Sequence, residues 1–323
     1  MTRFAEASRD HSDAASRQDK HEMSGRHPSV VALLETSVEY DAADAIRARA
    51  RELVASARSL GWEGPPFSML ELASVRQLRV DEEADLKDDQ DACVVPGRVL
   101  LNRRKSSARR RYSLAHEIVH TLFPDYEDGI RRVGTLWRRH GDDSEVEFLC
   151  QVGAAELLFP LEEFTASVVR FGLSLASTLT LATTFHASVE ASARRIVETS
   201  ETPAAGVLLR PFDPATNEWS RVLAGDEHDS YAELRVSSAW YSRFAPAQIP
   251  VRSRPPTNGS AIRAWKGAAM VRRRGKIHAV GAELWTAGDP ADIWHSESIT
   301  LPADGGLPRE VLCLRFEKHL DSS

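Results

Sequence analysis

Two histidines and a glutamate lie close together in the segment SLAHEIVH, residues 113–120. His116 and His120 are four residues apart, so on a helix their imidazoles project from one face about one turn apart and can hold a single cation. Glu117, one residue after the first histidine, can reach a water molecule beside that cation and take its proton. The pattern H-E-x-x-H therefore predicts metal-assisted hydrolysis, with His116 and His120 as ligands and Glu117 as general base. A pair of histidines that bind nothing is disfavoured, since apolar residues flank the motif at helical spacing.

A catalytic cation needs a third protein ligand. No histidine follows His120 at the H-x-x-G-x-x-H spacing, so the third ligand is expected to be a carboxylate on a later helix. The candidates are Glu127, Asp128, Asp142, Asp143, Glu145, Glu147 and Glu156. Glu147 is favoured because, in SEVEFLCQVGAAELLF, it shares a helical face with mostly small or apolar residues that suit packing on the first helix. Glu145 and Glu156 point to other sides of that helix. Spacing alone leaves these alternatives open.

The elements around the motif are mainly helical. RRKSSARRRYSLAHEIVHTLF predicts a helix from about Ala108 to Phe123, which Pro124 ends. ACVVPGRVLLN predicts two short strands about a Pro96–Gly97 turn. Helical periodicity also marks the segments after Tyr40 and between residues 161 and 199. From Pro203 onwards the chain becomes strand-rich and contains five of its seven tryptophans.

These patterns predict three regions in an α+β protein. Residues 1–28 are polar and aperiodic and are expected to be a disordered tail. Residues 29–200 are expected to form a mainly helical domain with a small sheet. Residues 203–323 are expected to form a β-rich C-terminal domain.

Composition excludes several classes of protein. The 323 residues suggest two domains, and the net charge of −6 argues against a protein that mainly coats nucleic acid. The apolar runs are too short to cross a membrane, and the N-terminus has no apolar stretch typical of a secretion signal. Three widely spaced cysteines do not suggest a disulfide framework, so a cytoplasmic location is expected.

The two motifs together resemble the ImmA/IrrE family of intracellular zinc metallopeptidases. The first match is a strand ending in Asn102 followed by RYSLAHEIVH, and the second is EVEFLCQVGAAELLFP. A third, LTLATTFHASVEASARR, is similar to the helix-turn-helix-like segment of that family. The resemblance thus implies a helix-turn-helix-like segment at residues 174–199. The departures are Gln151, Phe159 and Ala187, where the family usually has Asn, Met and Val; none of them removes a ligand.

The resemblance implies a zincin-like metallopeptidase domain with His116, His120 and Glu147 as metal ligands and Glu117 as general base. It implies Zn²⁺ as cofactor, although two imidazoles and a carboxylate also suit Mn²⁺ or Fe²⁺. The implied activity is an endopeptidase that cuts a helix-turn-helix transcriptional repressor in a stress or mobile-element response. Residues 203–323 occupy the position of a sensor or regulatory domain, with a small molecule or a protein as its ligand.

Two other functions stay open. The protein could be a non-catalytic sensor that keeps its metal for structure, although an intact Glu117 argues against this. It could also be a DNA-binding regulator that uses residues 175–199, but this segment has little net positive charge, so nucleic acid is not expected as a direct partner. A basic cluster, residues 103–111, is expected to pair partly with the acidic stretch 81–91. Cys150 is expected to be a small buried apolar residue and not a ligand.

Overall fold

The computed structural model describes residues 26–87, 90–126, 143–219, 233–245, 248–268, 277–283, 294–302 and 308–316. The chain divides into two compact units, Met1–Leu161 and Glu162–Ser323. Of the predicted tail, only residues 26–28 are described, and the first helix begins at Pro28. The boundary between the units precedes the predicted domain boundary at residues 200–203, and the division into domains 29–200 and 203–323 stays a prediction.

The described part of the first unit contains five helices and a small sheet. They are α1 (Pro28–Glu35), α2 (Ala42–Ser59), α3 (Met69–Val75), β1 (Arg79–Ala84), β2 (Ala92–Val95), β3 (Arg98–Asn102), α4 (Ser107–His120) and α5 (Ser144–Leu158). The strand order is β1-β3-β2, with β1 parallel and β2 antiparallel to β3. The predicted hairpin is therefore present, and Gly97 in its turn has a φ of +69°, which glycine adopts without strain.

Paired charges surround the start of α4. Ser106 caps this helix, and its side chain accepts a hydrogen bond from the Arg109 N–H. Lys105 and Arg109 both form ion pairs with Asp91, and Arg104 pairs with Asp85 at 2.8 Å. These acidic partners offset the cost of positive charge at a helix N-terminus. The expected pairing of the basic cluster with the acidic stretch is thus confirmed.

The second unit is a sheet with helices on both of its faces. Its elements are α6 (Leu161–Phe171), α7 (Leu175–Thr184), α8 (Val189–Glu198), β4 (Ala204–Asp213), β5 (Glu218–Trp219), β6 (Glu233–Tyr241), α9 (Ser260–Ala268), β7 (His278–Glu283), β8 (Trp294–Pro302) and β9 (Pro308–Phe316). The sheet runs β5-β4-β9-β8-β7, with β6 also paired to β4. Apolar residues of α7 and α8 pack on one face, and those of α9 on the other.

These elements confirm the predicted fold class, an α+β protein with a β-rich C-terminal region. Gly206 shows why one part of the sheet needs glycine, because a Cβ there would overlap the Trp240 ring. Among the described residues, no helix combines the length and the apolar character that crossing a membrane requires.

Candidate metal centre

The structure brings His116, His120 and Glu147 together where α4 and α5 pack. The Nε2 atom of His116 lies 3.1 Å from Oε2 of Glu147, and the Nε2 atom of His120 lies 3.4 Å from Oε1. The two imidazole rings are 5.0 Å apart between centroids. All three side chains are mostly buried, with exposed fractions of 13%, 7% and 31%. Two nitrogens and a carboxylate therefore face one another across a small space.

This donor set fits a tetrahedral cation. Bonds of about 2.0–2.1 Å place two ligand atoms of a tetrahedral zinc site about 3.3 Å apart. The separations of 3.1 and 3.4 Å between each Nε2 atom and one carboxylate oxygen of Glu147 are close to that spacing. Burial raises the pKa of Glu147, but the hydrogen bonds and charge of His116 and His120 outweigh it and lower the pKa to about 2. Glu147 is therefore an anion near neutral pH, as a ligand must be.

Glu117 lies beside this group and is held by the edge strand of the small sheet. Its Oε2 atom accepts a hydrogen bond of 2.9 Å from the main-chain N–H of Val94 on β2. Burial raises the pKa of Glu117, and the neighbouring His120 and His116 and the Val94 N–H offset only part of that rise. A carboxylate with a raised pKa is suited to accept and return a proton.

The contact with Val94 follows from the register of β2. Asp91 bonds to β3 through its carbonyl, which accepts from the Asn102 N–H, so the alternate residues Ala92 and Val94 direct their N–H and C=O groups away from β3. The Val94 N–H is therefore free to reach Glu117. Sequence reasoning missed this donor, because it belongs to the main chain and no residue type marks it.

The other described carboxylate candidates have different partners. Asp143 caps α5, and its side chain accepts hydrogen bonds from the N–H groups of Glu145 and Val146. Glu145 lies 3.7 Å from Arg26, and Glu156 pairs with Arg51 at 3.1 Å. The candidates Glu127, Asp128 and Asp142 lie outside the described residues. Glu147 is thus the described candidate whose contacts agree with the predicted ligand, and its role as a ligand stays a prediction.

Close packing sets the distance between α4 and α5. Gly153 of α5 lies against Val119 of α4, and a Cβ at Gly153 would stand 2.7 Å from the Val119 Cγ1 atom. That distance is too short for two carbon atoms, so a larger residue at this position would push the helices apart. The helix that carries Glu147 therefore approaches the histidines closely because residue 153 has no side chain.

Replacing Gly153 with Ala is expected to destabilise the metal-free protein by up to about 2 kcal/mol. Overpacking costs about 1–3 kcal/mol, which exceeds the roughly 1 kcal/mol gained by removing a glycine from a helix. The free energy of unfolding in urea measures the change. The matched control is the double variant with Val119→Ala, in which the contact is relieved and the cost of Gly153→Ala disappears. A single variant more stable than the wild type would contradict this account of the packing.

Cys150 also contacts this centre. It is completely buried, and its Sγ atom lies 3.3 Å from Nδ1 of His120. Ligand atoms of His116, His120 and Cys150 all lie within 4.8 Å of one another. Burial, together with the nearby Glu147 and Glu117, raises the pKa of the Cys150 thiol well above its usual value. Cys150 is therefore buried as expected, but the expectation of a small apolar residue did not include its contact with His120.

The helix-turn-helix-like segment uses its basic residues within its own unit. Arg194 pairs with Glu190 at 3.0 Å, and its guanidinium lies 4.3 Å from the centroid of the Trp240 ring. The Arg195 side chain is only 5% exposed. These contacts favour packing over DNA binding for α7 and α8.

Comparison with known proteins identifies related chains. The family profile described as Peptidase_M78, IrrE N-terminal-like domain, matches residues 73–197. The "Radiation response metalloprotease IrrE" of Deinococcus deserti is 35% identical over 74 residues, which are 23% of this chain and 26% of that protein. Its namesake in Deinococcus radiodurans is 25% identical over 142 residues, 44% of this chain and 43% of that protein. The chain thus matches less than half the length of either relative.

Solved structures with a similar fold also match this chain. A "Mycobacterium tuberculosis transcriptional regulator" superposes with a TM-score of 0.54 at 14% identity, covering 84% of this chain and 75% of that one. At this identity the likeness concerns the fold alone.

Proposed function

We propose that this protein is a metal-dependent endopeptidase, because residues 73–197 match the family profile described as Peptidase_M78, IrrE N-terminal-like domain. The observation that carries the proposal is the meeting of His116, His120 and Glu147 at 3.1 and 3.4 Å, with Glu117 half-buried beside them. A purely structural site has no use for an acid in the position of Glu117. A catalytic role for the site therefore explains the presence of Glu117, which a non-catalytic sensor does not.

His116, His120 and Glu147 would hold the cation, with zinc preferred and manganese or iron also suited to this donor set. A divalent cation held there would polarise the scissile carbonyl and make water a stronger nucleophile. Glu117 takes the proton of the attacking water and passes it to the nitrogen of the leaving amine. The hydrogen bond from the Val94 N–H would hold the Glu117 carboxyl group in place during both transfers.

The substrate we propose is a helix-turn-helix transcriptional repressor, cut in the cytoplasm during a stress or mobile-element response. The resemblance to the ImmA/IrrE family supports this substrate class. The names of the two Deinococcus relatives, which refer to a radiation response, support the link to stress. A narrow substrate range is expected, because an unrestricted peptidase would damage its own cell. A small-molecule or protein ligand of residues 203–323 would supply the control.

Incubation with a repressor tests this function. The protein loaded with zinc or manganese is mixed with the helix-turn-helix repressor encoded beside it, and fragments are sought by mass spectrometry. We expect discrete fragments that disappear when a chelator is added, and no fragments from an unrelated helix-turn-helix protein. An intact repressor in both metal-loaded samples would contradict the proposed substrate.

A further inference from the structure

His120 has different neighbours at its two ring nitrogens. Its Nε2 atom faces Glu147 at 3.4 Å, and its Nδ1 atom faces the Sγ atom of Cys150 at 3.3 Å. An imidazole that binds a cation through one nitrogen carries its proton on the other, and the group that receives this proton fixes the tautomer and the ring orientation. The side of His120 away from Glu147 is therefore where an orienting group is needed.

Cys150 could have either of two roles at this position. A thiolate is a common zinc ligand, and the cluster of His116, His120 and Cys150 is compact enough for one. However, both Nε2 atoms face Glu147, whereas the sulfur contacts the Nδ1 atom of His120, on a different part of the ring. One cation cannot use the Nε2 atoms together with Glu147 and also take Cys150 on the Nδ1 side of His120. The observed contacts favour the Glu147 carboxylate as the metal ligand. The Cys150 thiol is then placed to accept a hydrogen bond from the Nδ1–H group of His120.

We propose that Cys150 is a positioning residue, whose Sγ atom accepts a hydrogen bond from Nδ1–H of His120 and so holds Nε2 toward the cation. The proposal rests on the metal centre of the proposed function. His116 differs from His120, because its buried Nδ1 atom has no hydrogen-bond partner among the described residues. Of these two histidines, His120 is therefore the one whose ring a neighbouring side chain orients. Replacing Cys150 is expected to weaken metal binding by releasing the His120 ring.

Metal affinity tests this role without any need for a substrate. Zinc binding is measured by competition with a chelator of known affinity, for the wild type and for Cys150→Ala, Cys150→Ser and Cys313→Ala. Changes in groups that orient a ligand typically weaken binding 10–100-fold, and a thiol is a weak acceptor, so we expect a loss of about 10-fold for Cys150→Ala. Cys150→Ser keeps an acceptor and should retain most of the affinity. Cys313, another fully buried free cysteine, lies on β9 in the second unit, so Cys313→Ala should bind as the wild type does.

A cobalt spectrum separates an orienting thiol from a ligating one. Cobalt bound by a thiolate has an intense sulfur-to-metal charge-transfer absorption in the near ultraviolet, and we expect the wild type to lack it. This band, present in the wild type and lost in Cys150→Ala, would overturn the proposal by making Cys150 a ligand. Unchanged zinc affinity in Cys150→Ala would overturn it by making the contact incidental.

Two further measurements separate other causes of a change. Unfolding of the metal-free variants in urea shows whether a cavity at Cys150 has damaged the fold. If Cys150→Ser loses as much affinity as Cys150→Ala, packing and not the hydrogen bond is responsible, and the proposal is wrong. A wild type that binds neither zinc nor cobalt would contradict the metal centre itself, whereas failure to cut a repressor leaves these binding measurements valid.

Discussion

Replacing Glu117 with Gln is expected to abolish proteolysis while zinc remains bound. The amide has the shape of the carboxylate and can still accept the hydrogen bond from the Val94 N–H, so the packing around it is preserved. It cannot take a proton from water, and loss of a general base typically costs about 10²–10⁴-fold in rate. The measurements are the rate of repressor cleavage and the zinc content of the purified variant.

The raised pKa of Glu117 makes this substitution informative about stability as well. Burial disfavours the charged form of Glu117, so the neutral amide removes a desolvation cost that the carboxylate bears. The inactive variant should therefore be at least as stable as the wild type when both are metal-free. If the variant is inactive because it is unfolded, misfolding and not the missing base explains the loss of activity. If the variant cleaves at the full rate, the assigned role of Glu117 is wrong.

Sequence periodicity was sufficient to predict the two helices of the metal centre. The four-residue spacing of His116 and His120 fixes their common face on α4 whatever surrounds the helix. The choice of Glu147 needed the same argument on α5, where Glu156 is on the far side and pairs with Arg51. The resemblance to the ImmA/IrrE family rests on the motifs of both helices together, and the family profile over residues 73–197 confirms it.

Tertiary contacts were beyond the reach of sequence. The bond from Val94 to Glu117 depends on the register of β2 against β3, and a shift of one residue would turn that N–H away. The contact between Cys150 and His120 depends on how α5 rotates against α4, which the packing of Gly153 on Val119 helps to set. Such contacts carry no local signal, because the partners lie far apart in the chain.

Replacing Glu147 with Gln is expected to cause the largest loss of metal affinity of any substitution proposed for this protein. The carboxylate is the only negative charge in the predicted ligand set, and an amide oxygen is a much weaker zinc ligand. The loss should therefore exceed the roughly 100-fold upper figure for groups that merely orient a ligand. Because the pKa of Glu147 is about 2, the carboxylate is ionised at any pH near neutrality, and the loss should not depend on pH there.

Glu145→Gln is the matched control for this experiment. Glu145 lies in the same first turn of α5, and its replacement removes the same charge from the same end of the helix. The partner of Glu145 is Arg26 and not a histidine. Glu145→Gln therefore reproduces the loss of one negative charge at this end of the helix and leaves the contact between Glu147 and the histidines intact. If both variants lose affinity equally, Glu147 acts through its charge alone and is not a ligand. If Glu147→Gln binds zinc as tightly as the wild type, the third ligand lies elsewhere, and Glu127, Asp128 and Asp142 become the residues to replace next.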